Sequence, residues 1–449
     1  MSDSASNPYI AKRDCAAEFV PSGVTVPAQS PRGGGWCWWV SLLLLLATML
    51  NYMDRQTLSN LSSRITSAFG LNREQYGDLE FGFGVAFAAG SIFFGMLADR
   101  YSVRWLYPLV LLLWSLIGVL TGFCNDYRQL LICRILLGFF EAGHWPCALR
   151  TTQIIQQGSG RLMSNSLLQS GGAIGAILTP LVISGMVVGS DDPSIWRKPF
   201  VVIGSAGTIW IGLWLLSIRR GDLPAAGVTA DGSRESDGGL VGWLSECLGN
   251  LRFWALVPVV ISLNITWQLI RNWLPLFLQF GRGATEKEAL WFSSMYFLAA
   301  DVGCLAAGAG AVWLGRRGIS THASRVLIYL ACGLLTGLTL VAARLPLGTP
   351  LYLVLLLVAA GSLGLFPCYY SLSQDASQKH MSKTSGLLGA VGWLVASPLQ
   401  KVFGRVIDRT QSFDEGLAIV GLAPLAGIVL LLVIWPSSSA DTKDVARSV

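Results

Sequence analysis

Charge is scarce in this sequence. Asp, Glu, Lys and Arg make up only 13% of the 449 residues, where a soluble domain carries about 25%. Hydrophobic residues reach 53%, more apolar surface than a water-facing fold can hide, so lipid is the expected solvent for much of the chain. Metal-ligand spacings are lacking too. The three histidines and nine cysteines are scattered, with no Cys-x-x-Cys or His-x-x-His among them, so neither a metal site nor a disulfide framework is expected. There is no P-loop, hence no expected ATP drive. Without a Gly-x-Ser-x-Gly elbow or a His-x-x-x-Asp constellation, a membrane-embedded enzyme is the least favoured class. The net charge of +6 is too small to suggest a nucleic-acid partner.

Long apolar runs dominate instead. A span needs about 20 mostly apolar residues, and twelve windows qualify, centred on 38–60, 76–98, 104–123, 129–155, 163–188, 199–218, 252–280, 289–314, 324–343, 350–372, 384–404 and 415–435. Many of the 17 tryptophans lie near the ends of these runs, as an interfacial aromatic belt requires. Residues 1–35 are rich in Ser, Pro and Gly and read as a disordered N-terminal segment. The first apolar run is too long for a signal peptide and is read as a retained helix. Residues 219–251 are hydrophilic and divide the chain into a six-helix bundle at 36–218 and another at 252–436, with a tail at 437–449. Lys and Arg fall more often in the segments on the side of the termini. Both termini are therefore expected in the cytoplasm, and the protein in the plasma (inner) membrane as a multi-pass monomer. Gly143-His144-Trp145-Pro146 recurs as Gly364-Leu365-Phe366-Pro367, 221 residues on, and the same shift places Asn51 on Asn272. The expected fold is thus all-α: about twelve transmembrane helices in two pseudo-symmetric bundles, with a solute site between them.

Ionisable groups inside spans are costly and usually functional. The first span holds Asn51, Asp54 and Arg55, and Asn51 and Arg55 share a face. The fourth holds Arg134 and Glu141, about two turns or roughly 10 Å apart along one face, with His144 three residues on. The seventh carries a stripe of Asn264, Gln268 and Arg271. Arg55 and Arg271 are candidate anchors for an anion, since a guanidinium presents paired N–H donors. Asp54 and Glu141, with Arg134, are candidate proton-handling groups, because poor solvation favours the protonated carboxylate and a neighbouring guanidinium the ionised one, so that binding of an anion changes its protonation. The bland alternative is a set of internal ion pairs holding helices in register. Asp301 is expected to be a structural partner for a nearby cation. Lys401 and His144 read more readily as snorkelling and packing groups. Tyr370, at the end of the tenth span, is a further candidate solute contact.

The segment Gly95-Met96-Leu97-Ala98-Asp99-Arg100-Tyr101-Ser102-Val103-Arg104 resembles the signature loop of the major facilitator superfamily, with Ser102 in place of the usual Gly. The resemblance implies a gating loop carried by Gly95, Asp99, Arg100 and Arg104, with Gly95 permitting close helix approach. Gly315-Arg316-Arg317-Gly318 looks like a degenerate second copy. Asn51-Tyr52-Met53-Asp54-Arg55-Gln56-Thr57-Leu58-Ser59, the run from Arg134 to Pro146, and Trp273-Leu274-Pro275-Leu276-Phe277-Leu278 resemble the anion:cation symporter family, closest to its hexuronate and sugar-acid transporters. The resemblance implies symport of a small organic anion driven by an ion gradient, with no cofactor, Arg55 as carboxylate anchor and Asp54 and Glu141 as proton carriers; it favours H+, while the residues alone leave H+ and Na+ both open. Two places depart from it: Phe87 stands where the family often has a solute-binding Tyr, and Trp393 where a polar Asn is expected. With Gln268 and Asn51, these complete the expected solute contacts. An organic-phosphate exchanger held by Arg55 and Arg271 is the alternative of the same class. A transporter-like solute sensor is the alternative of another.

Overall fold

A computed structural model describes residues 33–155, 158–223, 248–376 and 381–434. Among them are twelve helices long and apolar enough to span a membrane. In chain order they are α1 (Gly34–Asn60), α2 (Arg73–Ala98), α3 (Val103–Thr121), α4 (Tyr127–Ile155), α5 (Leu167–Val187), α6 (Arg197–Ser217), α7 (Leu251–Gly281), α8 (Glu286–Arg316), α9 (His322–Ala342), α10 (Thr349–Ser373), α11 (Leu387–Thr410) and α12 (Asp414–Ile434). Lipid offers no hydrogen bonds, so the backbone of each span satisfies itself within the helix and the ends need caps. At α2, Asn72 accepts from the Gln75 N–H and Gln75 caps back. At α8, Thr285 and Glu288 form the same reciprocal box.

Two spans are irregular where chemistry is concentrated. The helix of α4 stops at Glu141 and resumes at His144, so the window read as one continuous helix is broken at Ala142-Gly143. Pro146 has no N–H to offer the carbonyl four residues back. In α7, Pro275 is followed by a π-helical turn over Phe277–Gly281.

The halves repeat one packing scheme. α1 packs on α5 as α7 does on α11, α2 on α4 as α8 on α10, and α3 on α6 as α9 on α12. The halves meet along α2 with α11 and α5 with α8, two contacts related by the same pseudo-symmetry.

The two ends of the bundle differ. Call the end where α1 begins and α12 finishes the near end, and the opposite end the far end. At the far end α2 and α11 touch backbone to backbone: a Cβ on Gly77 would collide with the Gln400 carbonyl, and one on Gly404 with that of Arg73. Charges fasten the same region. Lys401 pairs with Asp78 at 2.9 Å and Glu74 at 3.6 Å, and Arg405 pairs with Glu74 at 2.7 Å. Asp408 accepts from the N–H groups of Arg73 and Glu74 at 2.9 and 2.8 Å, capping α2 from the other half. Arg64 reaches Glu286 at 2.6 Å. Toward the near end, Gly95 on α2 and Gly389 on α11 have no neighbour within 4 Å of a Cβ position. The close approach expected at Gly95 is therefore not made among the described residues.

Candidate functional site

The charges of the interior meet midway, where α1, α2, α4, α7 and α11 converge. Arg55 donates from Nε to Glu141 Oε2 at 3.0 Å and from Nη2 to Asn51 Oδ1 at 3.0 Å. The four-residue spacing of Asn51 and Arg55 sets the second bond. The break in α4 frees carbonyl groups at Glu141, and Asn51 Nδ2 donates to its backbone oxygen at 3.4 Å. Aromatic rings enclose the guanidinium: Phe87 at 4.8 Å, Tyr52 at 5.2 Å, Phe83 at 5.5 Å and Trp393 at 5.8 Å. Each ring face favours the cation. Three of these rings come from the N-terminal half and Trp393 from the other, so the pair is covered only while the halves touch.

A second buried pair lies next to the first. Arg134 Nη2 donates to Glu80 Oε1 at 2.9 Å, and the other Glu80 oxygen accepts from Asn272 Nδ2 at 2.9 Å. Tyr76 donates its hydroxyl to the Asn272 carbonyl at 2.9 Å. Glu80 thus joins a cation of one half to an amide of the other. Phe83 serves both pairs, its ring 4.6 Å from the Arg134 guanidinium as well as facing Arg55. Glu80 was not among the residues singled out from sequence. The signal was there, a carboxylate inside the second apolar window, but its place near the end of that window masked it as an interfacial group.

Arg271 is buried, 4% exposed, and close enough to Arg55, Arg134 and Glu80 to feel their charges. Among the described residues its one hydrogen bond is from Nη2 to Gln268 Oε1 at 3.2 Å, and its Nε has no partner. No ion pair involves it among the described residues. Asn264, the third member of the stripe, donates to the Val260 carbonyl instead.

The other candidates make no hydrogen bond or ion pair with these groups among the described residues. Asp54 is buried but faces α3, its Oδ1 against Gly118 and near Trp114, and it forms no ion pair among the described residues. His144 is held between two hydroxyls, Tyr107 at 2.9 Å on Nδ1 and Thr48 at 3.0 Å on Nε2, which makes it a packing bridge between α1, α3 and α4. Tyr370 is half exposed against Phe366 and Tyr369. Lys401 belongs to the far-end clasp described above. Asp301 is half-buried and has no ion pair among the described residues, so the expected cation partner is not found there. In the loop after α2, Arg100 is exposed and Arg104 stacks over Trp105 at 4.7 Å. Ser102 donates to the Leu223 carbonyl at 2.5 Å and so ties this loop to the start of the linker. The side chain of Asp99 lies outside the described residues.

Twelve spans in two like halves, clasped at one end and joined midway through buried charges, define a membrane transporter rather than an enzyme. Residues 44–389 match the model of the Major Facilitator Superfamily, and the chain belongs to that family. It is similar to a probable sulfoacetate transporter SauU of Cupriavidus necator, 26% identical over 90% of this chain and 94% of the relative. It is also similar to the hexuronate transporter of Escherichia coli K12, 24% identical over 89% of this chain and 93% of the relative. Among solved structures, a bacterial homologue of the human lysosomal transporter Spinster, inward-facing and unoccupied, superposes with a TM-score of 0.71 at 18% identity. That match covers 93% of this chain and 98% of the other. The inward-open xylose transporter XylE of E. coli gives 0.69 at 14% identity, over 90% and 97%. These two likenesses concern the fold alone.

Proposed function

We propose that the protein is a proton-coupled symporter of a small organic anion, of the sugar-acid type carried by its named relatives, working by alternating access. One observation carries the reading: the Arg55–Glu141 pair, buried in an aromatic cage to which both halves contribute. An ionised Glu141 occupies Arg55. A proton on Glu141 removes that claim and leaves the guanidinium free for the carboxylate of the solute, so proton and anion load together. Arg134 and Glu80 hold the neighbouring charge balance, and Asp54 stands one residue from Arg55 as a second proton-handling carboxylate.

The far end is the outer face, the near end and both termini are cytoplasmic, and the conformation is the one open to the cytoplasm. The membrane is the plasma membrane and the working unit a monomer. Reconstitution into proteoliposomes tests the coupling. An inwardly directed pH gradient should drive accumulation of a sugar acid, and Glu141→Gln should keep solute exchange while losing that accumulation. Accumulation that follows a sodium gradient and ignores pH would overturn the proton role.

A further inference from the structure

Arg271 is the one guanidinium of the central cluster that the described residues leave without a carboxylate. Arg55 has Glu141 and Arg134 has Glu80, both at ion-pair distance. Arg271 has only the neutral oxygen of Gln268, with Nε unsatisfied although the residue is buried. An uncompensated charge out of water is strongly disfavoured unless something else neutralises it. Asp54 does not, since it faces α3 on the other side of α1. Arg271 and Arg55 are near enough to repel one another, and they come from opposite halves, α7 and α1.

We infer that the solute is a dianion with an acid group at two positions, one bound by Arg271 with Gln268 and the other by Arg55. This rests on the proton exchange at Glu141 proposed above. With Glu141 ionised, the cluster holds one positive charge more than its carboxylates balance. When Glu141 takes a proton, the excess becomes two, which a dianion cancels. The loaded site is then neutral with one proton and one dianion aboard, and it can cross between states without carrying net charge through the low-dielectric interior. A monoanion bound at Arg55 once Glu141 is protonated cancels only one of the two excess charges and leaves Arg271 uncompensated.

The full-length protein purified in detergent tests this with two matched pairs of probes, galactarate against galacturonate and sulfoacetate against acetate, each differing by one acid group. Glucose 6-phosphate serves as a dianion whose charge sits on a single group. Calorimetric Kd values should favour the two-acid member of at least one pair by about 10- to 100-fold, the range for one charge-assisted hydrogen-bonded contact. Arg271→Gln should erase that gap while changing the one-acid member by less than about 3-fold, and Arg271→Lys should restore part of it. No gap in either pair, equal weakening of both members in Arg271→Gln, or a preference for glucose 6-phosphate would each overturn the inference. A gap that depends on Arg271 in a protein lacking proton-driven accumulation supports the dianion site and counts against the coupling. Proton-driven accumulation without a gap does the reverse.

Discussion

Asn51 and Asn272 occupy equivalent places in the two halves, yet they do different things. Asn51 works inside its own half, holding Arg55 and the backbone of Glu141. Asn272 reaches out of its half to Glu80. The same contrast holds for the halves as wholes. The helix packing is repeated, but the buried ion pairs of the centre, Arg55–Glu141 and Arg134–Glu80, are both contained in the N-terminal half. The C-terminal half supplies a ring, an amide and one unpaired cation: Trp393, Asn272 and Arg271. The repeated backbone supplies two like bundles. The asymmetry of side chains makes one bundle the charge store and the other the cover over it.

Removing the store should have the largest effect. Arg55→Ala should abolish uptake in proteoliposomes, with normal membrane insertion and a monodisperse purified protein. If Arg55→Ala transports at half the normal rate, the store is not at that pair. Glu80→Ala, which strands the buried Arg134 and frees Asn272 together, should destabilise the protein by about 3 kcal/mol, read as a lowered unfolding midpoint in detergent. Asn272→Ala removes only the link between halves and leaves the pair intact, so its cost should be nearer 1 kcal/mol. Equal losses from the two would mean that Glu80 acts through its link to the other half alone. A smaller effect on stability but a clear one on sidedness is expected from Asp408→Asn, which weakens the cap that one half places on the other. A single cysteine at Gln400 should then be labelled several-fold faster from outside. Trp393→Phe, which keeps a ring over Arg55, should change the KM for the solute by no more than about 3-fold, the scale of a small difference in cation–π contact.

Much of this was legible before any coordinates. The spans follow from apolar run length, and the pairing of α1 with α4 follows from placing Arg55 and Glu141 inside them, since charges in lipid need partners. What helix periodicity does not reveal is which opposite helix a face meets. Glu80 with Asn272, and Lys401 with Asp78, are contacts across the interface between halves, and nothing in either local stretch encodes the partner. Asp54 shows the limit from the other side. Adjacent residues on a helix point about 100° apart, so a charge beside Arg55 in sequence faces another helix in space. Gly95 misled for a further reason: a glycine permits a close approach but does not say which neighbour, if any, makes it.

The glycine contacts of α2 with α11 have a mechanical consequence. Where Gly77 meets the Gln400 carbonyl and Gly404 meets that of Arg73, there is no side chain whose rotamer could change to ease the fit by degrees. Two rods pressed together without padding can only stay engaged or lift off as a whole. Opening at that face should therefore behave as a discrete step, with few half-open molecules for solute or protons to leak through.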